Sequence, residues 1–273
     1  MAKAAASDGA ARRTWNRTPV GSQRSAAPPG TREYFADLRA YRYGYETPFI
    51  PQFFDFARLR ARSVLEVGVG NGIDAVEMAR AGAHYTGIDV TERHLELTRL
   101  NFRSSGLPEP RLLHGDLLHE AGLGPFDFVY SFGVLHHIPE ERRYLARLRE
   151  LLATDGRLLI GVYSKYSLFN AYLLAGWLLR APRATRLDDW RSHIAELSVL
   201  GDPVTIRIRS RAAVVALLAE AGFELVRYRK HGFPQGHLPG LGRFCAPSGP
   251  VLAALGRLLG WYHLIECRAA GSR

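Results

Sequence analysis

The chain predicts an α/β protein built on a doubly wound, mostly parallel sheet, and three observations carry that expectation. Val64-Leu65-Glu66-Val67 is a short apolar run that enters Gly68-Val69-Gly70-Asn71-Gly72, after which residues 73–80 continue with helical periodicity. Residues 84–89 form a second short apolar run, and it ends in Asp89, about twenty residues after the glycines. Between residues 63 and 163 such runs alternate with helical stretches, which implies parallel strands joined by right-handed crossovers. Glycines are needed where the backbone bends sharply and a ligand comes close, because a Cβ would block both. An acid at the end of the second strand is where a nucleotide-binding α/β unit sets a carboxylate against two ribose hydroxyls.

Along the chain, residues 1–30 are polar and rich in Ala, Ser, Arg and Pro, the composition of a disordered basic tail. Trp15 is the exception, because a lone Trp in such a tail needs a docking place. Residues 31–58 read as N-terminal cap helices. Thr31 is the N-cap of the first and Glu33 lies in its first turn, while Pro48 and Pro51 separate it from the Phe-rich second. Residues 59–268 form the main domain, with insertions at about 164–208 and 232–259. The first insertion opens on residues 168–179, apolar nearly all round, which suits a cap helix packed on the core, a lid over a hydrophobic acceptor, or a surface that touches lipid. Ser210 caps a further amphipathic helix. A connection as long as 232–259 is functional or a small subdomain.

The motifs taken in order resemble the class I S-adenosylmethionine-dependent methyltransferases. The glycine turn has the E-x-G-x-G-x-G form, whereas a dinucleotide turn has G-x-G-x-x-G with room for a pyrophosphate. Leu112-Leu113-His114-Gly115-Asp116-Leu117-Leu118 looks like that family's third strand and acidic turn, and residues 125–131 look like its fourth strand. Val134-Leu135-His136-His137-Ile138-Pro139 matches the V-L-H-H-I-P segment of many small-molecule methyltransferases. Ala221-Gly222-Phe223-Glu224 resembles the turn into the sixth strand, and residues 260–268 look like the antiparallel seventh. The resemblance spans about residues 40–230. It implies a Rossmann-like seven-stranded sheet, mostly parallel with an antiparallel last strand, under a helical cap that lies over the cofactor.

The resemblance also implies S-adenosyl-L-methionine as cofactor and a small-molecule acceptor. Gly68, Gly70 and Gly72 would let the backbone approach the donor. Glu66 would lie near its ammonium or else hold the turn. Asp89 would accept both ribose hydroxyls, Asp116 and Leu117 would meet the adenine, and Ser131 would stand beside the sulfonium. His137 is the candidate base, with Tyr163 at the end of the fifth strand lining the acceptor side. Arg42 would hold an anionic acceptor group through its planar fork, or else be an exposed helix charge. No N-P-P-Y motif points to adenine or glutamine as acceptor, and no metal-ligand set is legible.

Composition fits this expectation. The 273 residues, 47% hydrophobic and 23% charged, suffice for one large α/β domain with a cap. Cys245 and Cys267 form no C-x-x-C pair, so neither a disulfide framework nor a structural zinc site is expected, and a cytoplasmic setting fits. The net charge of +10 is mostly arginine spread along the chain, including Arg12, Arg13, Arg17, Arg24 and Arg32. No aromatic-interleaved basic stripe of the kind used for single-stranded RNA is visible, so no nucleic acid is expected. An anionic substrate or a peripheral, lipid-like contact stays open, as do an RNA-modifying methyltransferase and a non-catalytic donor-binding subunit.

Overall fold

In the computed structural model, the described residues are 2–201, 203–238, 240, 242–246 and 249–271. In chain order they form α1 (Ala2–Arg17), α2 (Arg32–Tyr41), α3 (Ile50–Phe54), β1 (Ser63–Val67), α4 (Ile73–Arg80), β2 (His84–Asp89), α5 (Glu92–Ser104), β3 (Arg111–His114), β4 (Phe126–Phe132), α6 (Glu141–Glu150), β5 (Leu152–Tyr163), α7 (Leu168–Arg180), α8 (Leu187–Ala195), α9 (Arg211–Glu220), β6 (Phe223–His231), α10 (Pro250–Leu259) and β7 (Tyr262–Ala269). The seven strands make one sheet in the order β3-β2-β1-β4-β5-β7-β6. Strands β1 to β5 pair in parallel, and β7 runs antiparallel between β5 and β6. This is the doubly wound sheet with an antiparallel last strand that the sequence predicts.

Side chains alternate across the sheet with the period of a strand. Along β5, Leu158, Ile160 and Val162 join one core and Leu159 joins the other; β1 divides Leu65 from Val64 in the same way. The first face is covered by Leu145 and Leu148 of α6 and by Val214 and Leu218 of α9. The second is covered by the aromatic cap, Phe53 and Phe54 of α3 with Phe56, and by Met78 of α4 and Phe102 of α5. A central parallel strand buried on both faces reads as a continuous apolar run. β1 and the second half of β5 have that pattern.

The helix starts follow their capping chemistry. Thr31 Oγ1 accepts the Tyr34 N–H at 3.2 Å, Ser167 Oγ the Asn170 N–H at 3.0 Å, and Ser210 Oγ the Ala213 N–H at 3.2 Å.

One expectation from composition needs correction. Residues 2–30 are not a disordered tail: α1 is helical and docked, with Thr14 and Pro19 buried and the Arg12 Nε donating to the Val90 carbonyl at 2.9 Å. Polar composition misled because the segment uses a few long-range anchors rather than its own apolar face. Helix α7 is a cap helix that packs on the core by one side only, where Phe169 meets the second core. Of its side chains only Leu173 is buried, while Leu178 and Leu179 are 68% and 82% exposed. Its inner side packs on α8, and the Trp177 Nε1–H donates to the Thr185 carbonyl at 2.8 Å.

One buried carboxylate ties the cap to the sheet. Asp74, in the first turn of α4, accepts from the Arg42 guanidinium through both oxygens (Nε–Oδ1 2.8 Å), from the Tyr43 hydroxyl at 2.5 Å and from the Tyr130 hydroxyl at 2.7 Å. Burial alone would raise this carboxyl, but Arg42 and the two phenols outweigh it and hold Asp74 below its ordinary range. Asp74→Asn should destabilise the protein by about 2–4 kcal/mol in urea titrations, somewhat less than for a fully buried pair because the Arg42 side chain stays 20% exposed. A carboxyl with a depressed folded pKa stabilises above its unfolded value of about 4, and that contribution disappears as pH falls through the folded value. The Asn variant should therefore lose the wild-type fall in stability below that pH. Equal acid limbs in the two proteins would contradict the assignment.

Candidate active site

The sheet order reverses between β1 and β4, the place where open α/β sheets bind ligands beyond the carboxyl ends of their strands. The glycine turn lies here. The Gly68 N–H donates to the Ile88 carbonyl at 2.8 Å and the residue has φ +83°. A Cβ on Gly68 would stand 2.4 Å from Val134 Cγ2, so the segment after β4 closes directly on the turn. Gly72 caps α4, and Asn101 of α5 holds its carbonyl at 3.1 Å.

Asp89 ends β2 at the same level and is 6% exposed. It accepts the Thr91 N–H at 2.8 Å and the Gly70 N–H at 3.4 Å, and its Oδ2 lies 3.3 Å from His94 Nδ1. His94 Nε2 accepts the Val20 N–H at 3.4 Å, which leaves the ring proton on Nδ1, directed at Asp89. Burial pushes the Asp89 carboxyl up, but His94 and the two backbone donors more than cancel this, and it stays below its ordinary range. An ionised carboxylate thus sits against the glycine turn, well suited to accept hydroxyl donors. The Gly115 N–H donates to the Asp89 carbonyl at 3.1 Å, which brings the β3 turn alongside. In that turn Asp116 Oδ1 accepts the Leu118 N–H at 2.9 Å, and Leu117 is buried in the core.

Three predicted residues are engaged elsewhere. Glu66 is buried and accepts the Tyr85 hydroxyl at 2.6 Å; burial and nearby Asp74 push its carboxyl well above the usual range. Ser131 is fully buried with its Oγ 3.0 Å from the Tyr144 hydroxyl, turned toward α6. Arg42 is committed to Asp74, which corrects both its reading as an anion clamp and its reading as an exposed charge.

On the β4–β5 side, a single 3₁₀ turn over Leu135–His137 carries the two histidines. His136 is 1% exposed and stacks on Tyr163 with centroids 3.7 Å apart; Tyr163 in turn stacks on Trp261. The His137 Nδ1 lies 2.7 Å from the Thr205 carbonyl, so it carries the proton and donates. Its Nε2 is 3.9 Å from a carboxylate oxygen of buried Glu196, which follows α8. Burial first, and then the Glu196 charge, push the Tyr163 phenol well above its ordinary value. Glu196 and Thr205 lie in the first insertion, and no spacing in the sequence announced them. His94 had a weak signal, as a histidine in the first turn of the helix after Asp89.

Trp15 bridges the two halves. Its ring centroid lies 6.4 Å from His94 and 6.1 Å from His137. The chain then passes over the glycine turn, where the Asn71 side chain donates to the Val20 carbonyl.

With this geometry, residues 38–228 match the family described as a methyltransferase domain, and the chain belongs to that family. Among curated proteins it is 34% identical over 121 residues to a ubiquinone biosynthesis O-methyltransferase of Aromatoleum aromaticum (44% of this chain, 50% of that protein). It is 32% identical over 145 residues to the protein of the same name from Neisseria meningitidis serogroup C (51% and 60%). The matches therefore span about half the length of these relatives. Among solved structures, the magnesium protoporphyrin IX methyltransferase of Synechocystis with bound SAH superposes with a TM-score of 0.61 at 16% identity, over 96% of this chain and all of that one. The cyclase SpnF superposes with a TM-score of 0.54, also at 16% identity, over 89% and 98%. At these identities the likeness shows the fold alone, and a cyclase among the neighbours illustrates why function must be argued from the site.

Gly70 tests the covering segment. Its φ is +54°, and an added Cβ would lie 3.0 Å from Val20 Cγ1. Gly70→Val should cost about 1–3 kcal/mol in backbone strain and lift residues 12–21 from the turn. Trypsin should then cut at Arg12, Arg13 and Arg17 several-fold faster than in wild type. Unchanged protection would mean that the segment does not rest on Gly70.

Proposed function

We propose that the chain is an S-adenosyl-L-methionine-dependent methyltransferase that transfers the methyl group to an oxygen of a small, hydrophobic acceptor. One observation carries this reading. An ionised Asp89 held against the Gly68–Gly72 turn faces the His136–His137 turn across the switch point, with Trp15 touching both sides. Ribose hydroxyls donate to Asp89. The glycines admit the donor's backbone-facing side, and Asp116 and Leu117 stand at the neighbouring β3 turn for the adenine. Glu66 acts through Tyr85, beneath the turn. Ser131 supports β4 from the core.

The reaction itself is an in-line displacement. The acceptor oxygen forms a bond to the methyl carbon as the carbon–sulfur bond breaks, and the bonding pair goes to sulfur, which becomes a neutral thioether. The enzyme's share is alignment and care of the hydroxyl proton. The backbone-anchored His137 offers Nε2 for that proton, and the Glu196 carboxylate beside it stabilises the resulting imidazolium. An aromatic wall of His136, Tyr163, Trp261 and Phe169 lines this side and favours a flat, apolar acceptor. The printed names of the curated relatives support O-methylation. The outward apolar side chains of α7 support an acceptor, or a surface, of lipid-like character. A cytoplasmic setting is supported by two free cysteines. Among the described residues no helix is long and apolar enough to cross a membrane.

Asp89→Ala should weaken donor binding by about 1.5–3 kcal/mol in calorimetry, because a charge-assisted pair of hydrogen bonds is lost. An unaltered affinity would remove Asp89 from the donor site.

With a labelled donor and a pool of hydroxylated aromatic compounds, His137→Ala should lower kcat by about 10²–10⁴ while donor affinity holds. The acid limb of the pH profile should vanish with it. A loss under about tenfold with an unaltered profile would show that the acceptor arrives already ionised and that His137 serves only alignment.

A further inference from the structure

Three donor atoms from two distant parts of the chain converge behind the turn that follows β4. His136, His137 and Glu196 each supply one, and these atoms lie within 4.8 Å of one another. Packing alone does not explain them. His136 is almost completely buried, yet neither of its ring nitrogens has a hydrogen-bond partner. An unpaired buried polar atom is costly, so a native core rarely keeps both nitrogens of one imidazole unsatisfied. Glu196 is also buried, and its Oε1 has no partner either. The Thr205 carbonyl holds the Nδ1–H of His137 at 2.7 Å, which fixes the tautomer whose Nε2 lone pair faces the Glu196 carboxylate. Metal-binding histidines are held in this way, with the far nitrogen anchored on a carbonyl and the near one free to ligate. A proton shared between His137 and Glu196 would leave His136 and Oε1 unsatisfied. A single cation would engage one nitrogen of His136, the Nε2 of His137 and a carboxylate oxygen of Glu196 together.

We infer that His136, His137 and Glu196 bind one divalent transition-metal ion. Two imidazoles and a carboxylate suit zinc, iron(II) or cobalt(II) better than magnesium or calcium, which prefer an all-oxygen shell. Ligands at about 2.0–2.2 Å from one ion lie roughly 3.5 Å apart, so the three side chains would draw in on binding. Three protein ligands would leave a coordination position open for a further ligand. The role of the ion rests on the methyltransferase reading: it would hold the acceptor oxygen as its anion and align it with the methyl group. The His137 Nε2 lone pair cannot take a proton and the ion together. In the loaded protein, therefore, the hydroxyl proton leaves to solvent and the cation carries the charge that an imidazolium would otherwise carry.

Cobalt(II) serves as the probe, titrated into the untagged, metal-free full chain. One cobalt per chain should bind, with visible absorption bands of a four- or five-coordinate site that added zinc abolishes. Glu196→Gln preserves side-chain volume and should weaken cobalt binding by about tenfold or more, with an unchanged melting curve. His136→Ala should abolish the bands; if that variant fails to fold, Glu196→Gln alone decides. Absent bands, or cobalt bound as tightly by Glu196→Gln as by wild type, would overturn the site. Donor binding measured by calorimetry in the same metal-free protein separates the two proposals. Normal donor affinity without cobalt bands ends the metal site alone, whereas no donor binding ends the methyltransferase reading and leaves the cobalt result to stand by itself.

Discussion

Asp74 lies two residues beyond the last glycine of the turn, and its buried carboxylate joins three parts of the molecule that the chain keeps far apart. Arg42 and Tyr43 reach it from the end of α2, and Tyr130 reaches it from the middle of β4. Burying an ionised acid is costly unless a counter-charge and hydrogen bonds meet it on every side. Here they do, and satisfying Asp74 forces the end of α2 down onto the sheet beside the glycine turn. The aromatic cap from Phe49 to Phe56 buries its rings on the sheet face formed by Val64, Tyr130 and Leu264. The position of the cap, and of the segment that covers the turn, follows from that single requirement.

Neighbouring acids at the carboxyl ends of the strands have opposite characters. Asp89 meets a histidine ring and two backbone N–H groups and stays ionised at the surface of the turn. Glu66 lies deeper, with a phenol for partner and another acid nearby, and its carboxyl is driven toward the neutral form. Both residues belong to the same motif, so the difference comes from solvation and partners rather than from residue type. It leaves one negative charge facing the candidate donor site, at the position where hydroxyl groups can use it.

The two long connections, residues 164–208 and 232–259, build on the β4–β5 end of the sheet in different ways. The first brings Glu196 and Thr205 to His137 and so builds chemistry that the sheet alone does not contain. It also presents an apolar strip on α7, with Tyr172, Leu178 and Leu179 outward. The second leads into Trp261 and the start of β7, where Trp261 stacks on Tyr163 and Tyr262 lies against Phe132 over the ends of β4 and β5. One sheet with different additions at its carboxyl end is how one architecture supports many reactions.

The sequence by itself determined the sheet, its alternation with helices, the glycine turn, the acid at the end of β2 and the capping residues Thr31 and Ser210. Each of these is a local matter: periodicity, φ freedom and a side chain that reaches its own backbone three residues on. It did not determine what Arg42 and Ser131 would face, because either side chain could point to solvent, to ligand or to core until the neighbouring elements were placed. The docking of residues 12–21 was equally invisible, since it depends on His94, Asn71 and Val90 and not on any pattern within the segment. Above all, the meeting of His136, His137 and Glu196 was decided by tertiary structure alone. No periodicity links a turn after β4 to a residue beyond α8. Only the packing of the insertion across the sheet end brings their donor atoms together.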